Sequence, residues 1–307
     1  MVRGNVVCYA QRQNAGKDVA KVTIEKHYRD NKALRDSFNR LAKETFGLDF
    51  EPWYQHGFWT DSYDPYSVVI GGEVVANVSL NRTDMIIGGQ RRRLYQLGTV
   101  MTDKAHRHRG YIRAIMEEIE KDTKDADGVY LFGGDNVLSF YPKFGFVPGE
   151  EYIYTRAAEN QGSCRMKRIP MDGPEGWDRL SKAMEESRFE TACTMADNPG
   201  LIFFYASQFL SGCVYHDPQL DAFAIAEIED GEMLLHSVFA PEGVSLEDVI
   251  AAFGGEIKRV TLGFAPVDPA GFACAPYHEE DCTFFVMGRA FDDFGEKRLR
   301  IPSLSHA

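Results

Sequence analysis

Between Thr99 and Asp122 the chain reads TVMTDKAHRHRGYIRAIMEEIEKD: a strand-like apolar end, a turn carrying His106, Arg107, His108 and Arg109, one glycine, and then an amphipathic helix. A strand that feeds a helix through a short turn predicts a crossover helix lying on a sheet. The run GVYLFGG downstream reads as the buried strand to which such a crossover returns. This succession constrains the chain to an α+β fold with a mixed sheet.

Upstream of the turn the pattern is regular. VTIEKHY from Val22 reads as a strand, and Asn31 to Thr45 as an amphipathic helix with Leu34, Phe38 and Leu41 on one face and Gly47 closing it. An aromatic loop, DFEPWYQHGFWTDSYDPY, precedes two strands, SVVI and EVVANVSL, joined by Gly71-Gly72, a pair suited to the positive φ angles of a hairpin. A strand from about Arg93 to Thr102 leads into the basic turn. After GVYLFGG come NVLSFYPKF, a short helix by its apolar spacing, and GFVPGEEYIYTR, a strand.

Polar and Gly/Pro-containing composition around residues 157–173 marks a boundary. The expected organisation is an extension over 1–20, a first domain over 21–157, a linker over 158–173 and a second domain over 174–307. In the second domain DAFAIAEI, Asp230-Gly231 and EMLLHSVF predict a hairpin, followed by a helix from about Ser245 to Phe253 and the strand IKRVTLGF. The order echoes the middle of the first domain, but the connection APEGVSLEDV is acidic where the first is basic.

Charge separates the two halves. Residues 1–156 carry 22 Lys and Arg against 21 Asp and Glu, whereas residues 157–307 carry 12 against 25. An acidic half repels phosphate backbones and argues against nucleic acid as a partner; it favours solubility or the approach of a cationic substrate. No stretch of about 18 apolar residues exists, and VVCYA near the N-terminus is too short for a signal h-region, so no membrane span and a cytoplasmic location are expected. The six cysteines show no CxxC spacing, and CAPYHEEDC offers Cys274, His278 and Cys282 without a second ligand pair, so no metal site is expected.

The basic turn has its own chemistry. A helix N-terminus presents unpaired N–H groups and a partial positive charge, Gly110 allows close approach of a ligand, and Arg107, Arg109 and Arg113 add charge-assisted donors. Together these make a pyrophosphate cradle. RHRGYIR after LGTVMT resembles the acyl-CoA-binding motif of the GCN5-related N-acetyltransferases, Arg or Gln, two residues, Gly, one residue, then Gly or Ala. Arg107 and Gly110 match it, and Ile112 stands where the pattern has a small residue. NVLSFYPKFGF resembles the later motif of that family, a short helix with a tyrosine, here Tyr141, ending in Gly145-Phe146. The likeness covers roughly residues 22–156, and the whole is similar in arrangement to bacterial two-domain members of the enhanced-intracellular-survival type.

The resemblance implies a mixed, mostly antiparallel sheet flanked by helices, with a second, degenerate domain of the same kind. It implies transfer of an acetyl group from acetyl-CoA to a primary amine, on a small cationic molecule or a peptide, by direct attack in a ternary complex. Cofactor contacts then fall to Val100, Met101 and Thr102, to Arg107, His108, Arg109, Gly110, Tyr111, Ile112 and Arg113, and to Asn136, with Tyr141 as general acid. Glu51, His56, Asp61 and Asp64 of the aromatic loop and the carboxylate of Ala307 are candidates for the base, and Phe50, Trp53, Tyr54, Phe58, Trp59 and Tyr63 either wall a cation pocket or cover the sheet. A non-catalytic acyl-CoA-binding regulator and a protein lysine or N-terminal acetyltransferase are the alternatives. A homo-oligomer is compatible with the sequence.

Overall fold

The computed structural model describes residues 23–159 and 162–306, without the side chain of Asn136. The expected extension over 1–20 and the carboxylate of Ala307 lie outside the described residues. In chain order the first half forms β1 (Ile24–Glu25), α1 (Lys32–Phe46), α2 (Glu51–Gln55), β2 (Tyr63–Ile70), β3 (Glu73–Arg82), β4 (Met85–Ile87), β5 (Gln90–Arg92) and β6 (Leu94–Thr102). There follow α3 (Tyr111–Asp122), β7 (Gly128–Gly133), β8 (Val147–Pro148) and β9 (Glu151–Ala157). The second half adds β10 (Lys167–Arg168), α4 (Pro174–Glu186), β11 (Cys193–Met195), α5 (Pro199–Phe204), β12 (Val214–Asp217) and β13 (Ala222–Glu229). It ends with β14 (Glu232–Phe239), α6 (Leu246–Ala252), β15 (Arg259–Leu262), β16 (Ala273–Tyr277) and β17 (Thr283–Met287).

Local chemistry sets the early elements. The side chain of Asn31 accepts from the N–H of Leu34 at the start of α1, and Gly47, at φ 74°, returns its N–H to Lys43 at the end. Gly71 and Gly72 both take positive φ in the β2–β3 hairpin. Asp230 and Gly231 do the same between β13 and β14.

Two large mixed sheets result. The first runs β1-β2-β3-β6-β7-β17-β8 and the second β10-β12-β13-β14-β15-β9-β16, with β11-β4-β5 forming a small third sheet. Parallel pairing among the described residues occurs at β6–β7 and at β14–β15, the two crossovers that the sequence pattern marks.

The segment read as one strand, GFVPGEEYIYTR, is in fact divided between the sheets. β8 pairs with β17 in the first sheet, while β9 pairs with β15 and β16 in the second. The break falls at Gly149, whose N–H donates to Phe284 O at 2.8 Å and whose missing Cβ leaves room for the Phe284 ring. The sequence reading contains no strand at Thr283–Met287, yet β17 runs antiparallel to β7, with Thr283 opposite Gly133 and Phe285 opposite Leu131.

Pleating sends alternate residues to opposite faces of the first sheet. Ala76, Val78, Leu80, Leu97, Val129 and Leu131 meet Tyr111, Ile115 and Ile119 of α3 on one face. On the other face Tyr130 and Phe284 join Leu235, Val260 and Leu262 of the second sheet in one continuous core. Burial of each such side chain contributes roughly 1.5–3 kcal/mol. The seam is therefore a core between the sheets.

Glu151 opens β9 inside this seam with 4% of its surface exposed. Burial pushes its carboxyl up to about 7, partly offset by the Arg300 charge and by the Ile301 N–H, which donates to Oε1 at 2.8 Å. Between the ordinary value of 4.5 and about 7 the folded chain binds more protons than the unfolded one. Stability therefore falls as pH rises through that window, by at most roughly 3 kcal/mol from this group. Thermal melts should show the melting temperature dropping from pH 5 to pH 8 in the wild type, with Glu151→Gln reducing that drop; equal slopes would refute the assignment.

Candidate active site

β6 carries one residue more than its partner in the middle of its pairing with β3. Asn77 faces Met101 and Ser79 faces Gly98, leaving Thr99 and Val100 opposite Val78 alone. The extra residue puts Thr99 at φ 48°, a strained conformation for a β-branched residue. Asn77 holds the bulge, its Nδ2 donating to Thr99 O and to Ser79 Oγ, both at 2.9 Å. Tyr63 and Thr99 share a further hydroxyl–hydroxyl hydrogen bond.

The bulge diverts β6 from β7. Their parallel pairing covers Leu94–Leu97 against Gly128–Leu131 and stops there, whereas β17 follows the other edge of β7 as far as Gly133. A gap opens between the carboxyl ends of two parallel strands, the usual place for a ligand in such sheets. Val100, Met101 and Thr102 form one edge of it.

The basic turn closes the end of the gap. Asp103 Oδ1 accepts from Ala105 N at 2.8 Å and stands 3.2 Å from His106 Nδ1, which starts a tight helical turn. The same N–H holds the Asp103 carboxyl below the usual carboxylate range. Arg107 Nε donates to Thr102 O at 3.3 Å and Arg109 Nη2 to Ala105 O at 3.1 Å, so both guanidinium groups brace the loop. His108 at φ 61° and Gly110 at φ 79° then turn the chain into α3. No side chain caps this helix. The first turn of α3 points its N–H groups toward the basic turn, the end of a helix that favours an anion.

Ile112 is partly buried against the core under α3, which explains a large side chain where the motif has a small one. Arg113 lies with its guanidinium 5.8 Å from the Phe144 ring centre.

Tyr141 begins a tight turn, Tyr141–Phe144, closed by Gly145 at φ 88°. Its side chain is fully buried against Gly133, where an added Cβ would lie 3.0 Å from Cε2, and Phe285 of β17 packs 5.4 Å away, centre to centre. Tyr141 thus stands on the α3 side of the gap, among the same core residues as Val129 and Leu131. Asn136 lies in the turn Asp135–Val137 just beyond β7, its side chain outside the described residues.

The aromatic loop has another task. Phe50, Trp53, Trp59 and Tyr63 are buried together with Phe38 and Phe204, and Arg35 covers the Tyr54 face at 3.6 Å. Glu51 is bound to Arg35, Asp61 to Arg29 and Asp64 to the His27 N–H, while His56 stacks on Trp177. The loop packs over the sheet beside the bulge, where Tyr63 meets Thr99 and Met101, and Glu51, Asp61 and Asp64 are held by their neighbours.

Residues without a sequence signal line the opposite face. Phe132 stacks on His306 at 3.8 Å, and the Tyr205 hydroxyl donates to His306 O at 2.6 Å. Only the register of β17 brings the chain's last described residues there.

The second unit differs at both places. α6 is capped by its own side chains, Asp248 N donating to Ser245 Oγ at 3.1 Å and Ser245 N to Asp248 Oδ2 at 3.0 Å. β14 and β15 also part, after Leu235 and Leu262, but Ser303 fills the opening so tightly that a Cβ on Gly263 would collide with it.

Residues 29–149 match the acetyltransferase (GNAT) domain family. A GCN5-related N-acetyltransferase from Kribbella flavida is similar at 18% identity and TM-score 0.54, over 87% of this chain and 73% of its own. Eis1 from Mycobacterium abscessus is similar at 14% and 0.51, over 85% and 73%. A conserved protein from Enterococcus faecalis gives 14% and 0.56, over 90% and 74%. These likenesses extend the fold across both halves. No curated protein matches the chain.

Because Asn77 is the brace of the bulge, Asn77→Ala should cost about 1–3 kcal/mol in urea unfolding by stranding the buried Thr99 carbonyl. A variant as stable as the wild type would mean that the bulge holds itself.

Proposed function

The chain carries a GNAT acetyltransferase domain over residues 29–149, and from that premise we propose that it transfers an acetyl group from acetyl-CoA to a primary amine, small or peptidic, by direct attack in a ternary complex. Acyl transfer from acetyl-CoA is the chemistry of this domain class. The reading is supported by the strand order, in which β6 parts from β7 just ahead of the turn into α3 while Tyr141 packs on Gly133 at the end of β7.

The backbone of Val100, Met101 and Thr102 holds the pantetheine arm as an added strand would be held, and its N–H groups polarise the thioester carbonyl. The N–H groups from Arg107 to Arg113 hold the pyrophosphate, with the guanidinium groups supplying long-range charge. Acetyl-CoA supplies an activated acyl carbon that exchanges its carbon–sulfur bond for a carbon–nitrogen bond to the amine. Tyr141 gives its phenolic proton to the departing sulfur and regains one from the amine nitrogen, so the phenol is regenerated. The products are an amide and a free thiol.

Calorimetric titration of acetyl-CoA tests the cradle. The wild type should bind in the micromolar range, and Arg107→Ala combined with Gly110→Asp should lose at least ~10-fold, because an acidic side chain then occupies the positive end of the helix. Thiol release with an amine acceptor should fall roughly 100-fold in Tyr141→Phe at unchanged acetyl-CoA affinity. A wild type that does not bind acetyl-CoA would overturn the proposal.

A further inference from the structure

The gap between β6 and β7 has a far wall as well as two edges. The last pair that the strands share is Leu97 with Leu131, and both side chains lie on the α3 face, buried with Ile115 and Tyr141. The next residue on each strand belongs to the opposite face, toward the core between the sheets. On β6 that residue is Gly98, which offers no side chain, and on β7 it is Phe132.

We infer that Phe132 sets the length of the acyl group: its ring closes the seam end of the gap, so that an acetyl methyl reaches it and a longer chain has no room. This rests on the acetyltransferase reading and adds acyl-chain selectivity to it.

Phe132 differs from the rest of its strand. Gly128 to Leu131 and Gly133 are buried, and Phe132 alone of β7 is only partly so. Its ring is covered by His306 at 3.8 Å and by Phe284 at 5.2 Å, centre to centre, and one edge of its backbone is paired with Phe284. What remains open therefore lies on the side that β6 has left.

Its neighbours hold the ring in place. Phe284 is wedged beside Gly149, where an added Cβ would lie 2.8 Å from its ring. On the other side the backbone of the last segment is fixed, Tyr205 Oη donating to His306 O at 2.6 Å and Tyr130 Oη to Ser305 O at 3.0 Å. A packed stack of this kind yields little to added volume.

The direction of the acyl group follows from the thioester. With the carbonyl held on the β6 backbone and the sulfur toward Tyr141, the acyl substituent leaves the carbonyl carbon on the side away from the sulfur. The α3 face is filled there by Leu97, Leu131 and Ile115, each exposed by 2% or less. The substituent therefore runs through the gap to the edge of the Phe132 ring. A methyl gains apolar contact at that edge, whereas each further methylene must displace the ring or fold back on itself.

Calorimetric titration of CoA, acetyl-CoA and butyryl-CoA into the full chain tests this without an acceptor. The wild type should bind acetyl-CoA about 10-fold or more tightly than butyryl-CoA. Phe132→Ala should tighten butyryl-CoA until the two lie within roughly 3-fold, at unchanged CoA affinity. Phe132→Leu keeps an apolar side chain in the core and should shift the ranking the same way by less; it decides the matter where the alanine variant does not fold. In the wild type, NMR with acetyl-CoA carrying a carbon-labelled methyl should show a nuclear Overhauser effect to the Phe132 ring protons.

Equal affinity of the wild type for acetyl-CoA and butyryl-CoA, a ranking unchanged in the folded variants, or a bound methyl without that Overhauser effect would each overturn the inference while CoA binding stands. A wild type that binds neither CoA nor acetyl-CoA would overturn the acetyltransferase reading, and the inference with it.

Discussion

The hydrogen bonds between β17 and β7 are the constraint on which the rest of the molecule depends. β17 occupies the position beside β7 that β9 would take if each half of the chain built its own sheet, and β9 goes to the second sheet instead. Neither sheet is complete without a strand from the other half. Closing pairings across so many residues is entropically costly, although the cost grows only slowly with loop length, and the shared core around Tyr130, Leu235 and Leu262 offsets it. The exchange also dictates where the chain goes next. A strand ending at Met287 beside β7 leaves the following residues on the seam, and they run back along it to Phe132.

The two units repeat one succession, hairpin, helix and parallel strand, and diverge at the features that matter for an anionic ligand. α3 begins at a glycine, and no side chain caps it. α6 begins with a reciprocal Ser245–Asp248 box that satisfies the same donors and places a carboxylate where a phosphate would have to sit. The parted strands differ in the same sense. In the first unit the gap is bordered by Tyr141 and the basic turn, and in the second it is filled by Ser303. The second unit thereby holds the tail of the chain against the first sheet, with Tyr130 Oη donating to Ser305 O and Ser303 N to Gly263 O.

What the sequence disclosed follows the range of the forces involved. α1 with Asn31 and Gly47, the two glycine-containing hairpins and the basic turn are legible because each is set by residues within about one helical turn or one hairpin of each other. The splitting of GFVPGEEYIYTR is not, because the choice between sheets depends on Phe284 meeting Gly149 across more than a hundred residues. Thr99 carries no signal either: threonine is an unfavoured residue at positive φ, and only the tertiary brace from Asn77 makes the bulge tenable. The aromatic loop is ambiguous by composition alone, since a cation pocket and a hydrophobic cover need the same residues; Phe50, Trp53, Trp59 and Tyr63 are buried with Phe38 and Phe204, while Tyr54, Trp59 and Asp61 also border a cavity with Arg29 and Asp30. His306 has no signal for a simpler reason, because no local pattern distinguishes a histidine that a distant strand exchange carries against Phe132.

Charge shows how surface and site divide the work. The second half's excess of carboxylates includes exposed residues such as Glu229, Glu232 and Glu256 on the loops and strand ends of its sheet. At physiological ionic strength exposed charges act over about 8 Å, so these influence the approach of a ligand rather than the chemistry at the gap. Inside the seam the ionic groups are few and compensated: Arg300 donates to Leu262 O and lowers the carboxyls of Glu151 and Glu279, which burial raises. Tyr130 and Tyr205 on this side are held above the usual phenol range by burial. The exterior of the second half is acidic, while the seam keeps its few ionic groups in mutually offsetting contacts.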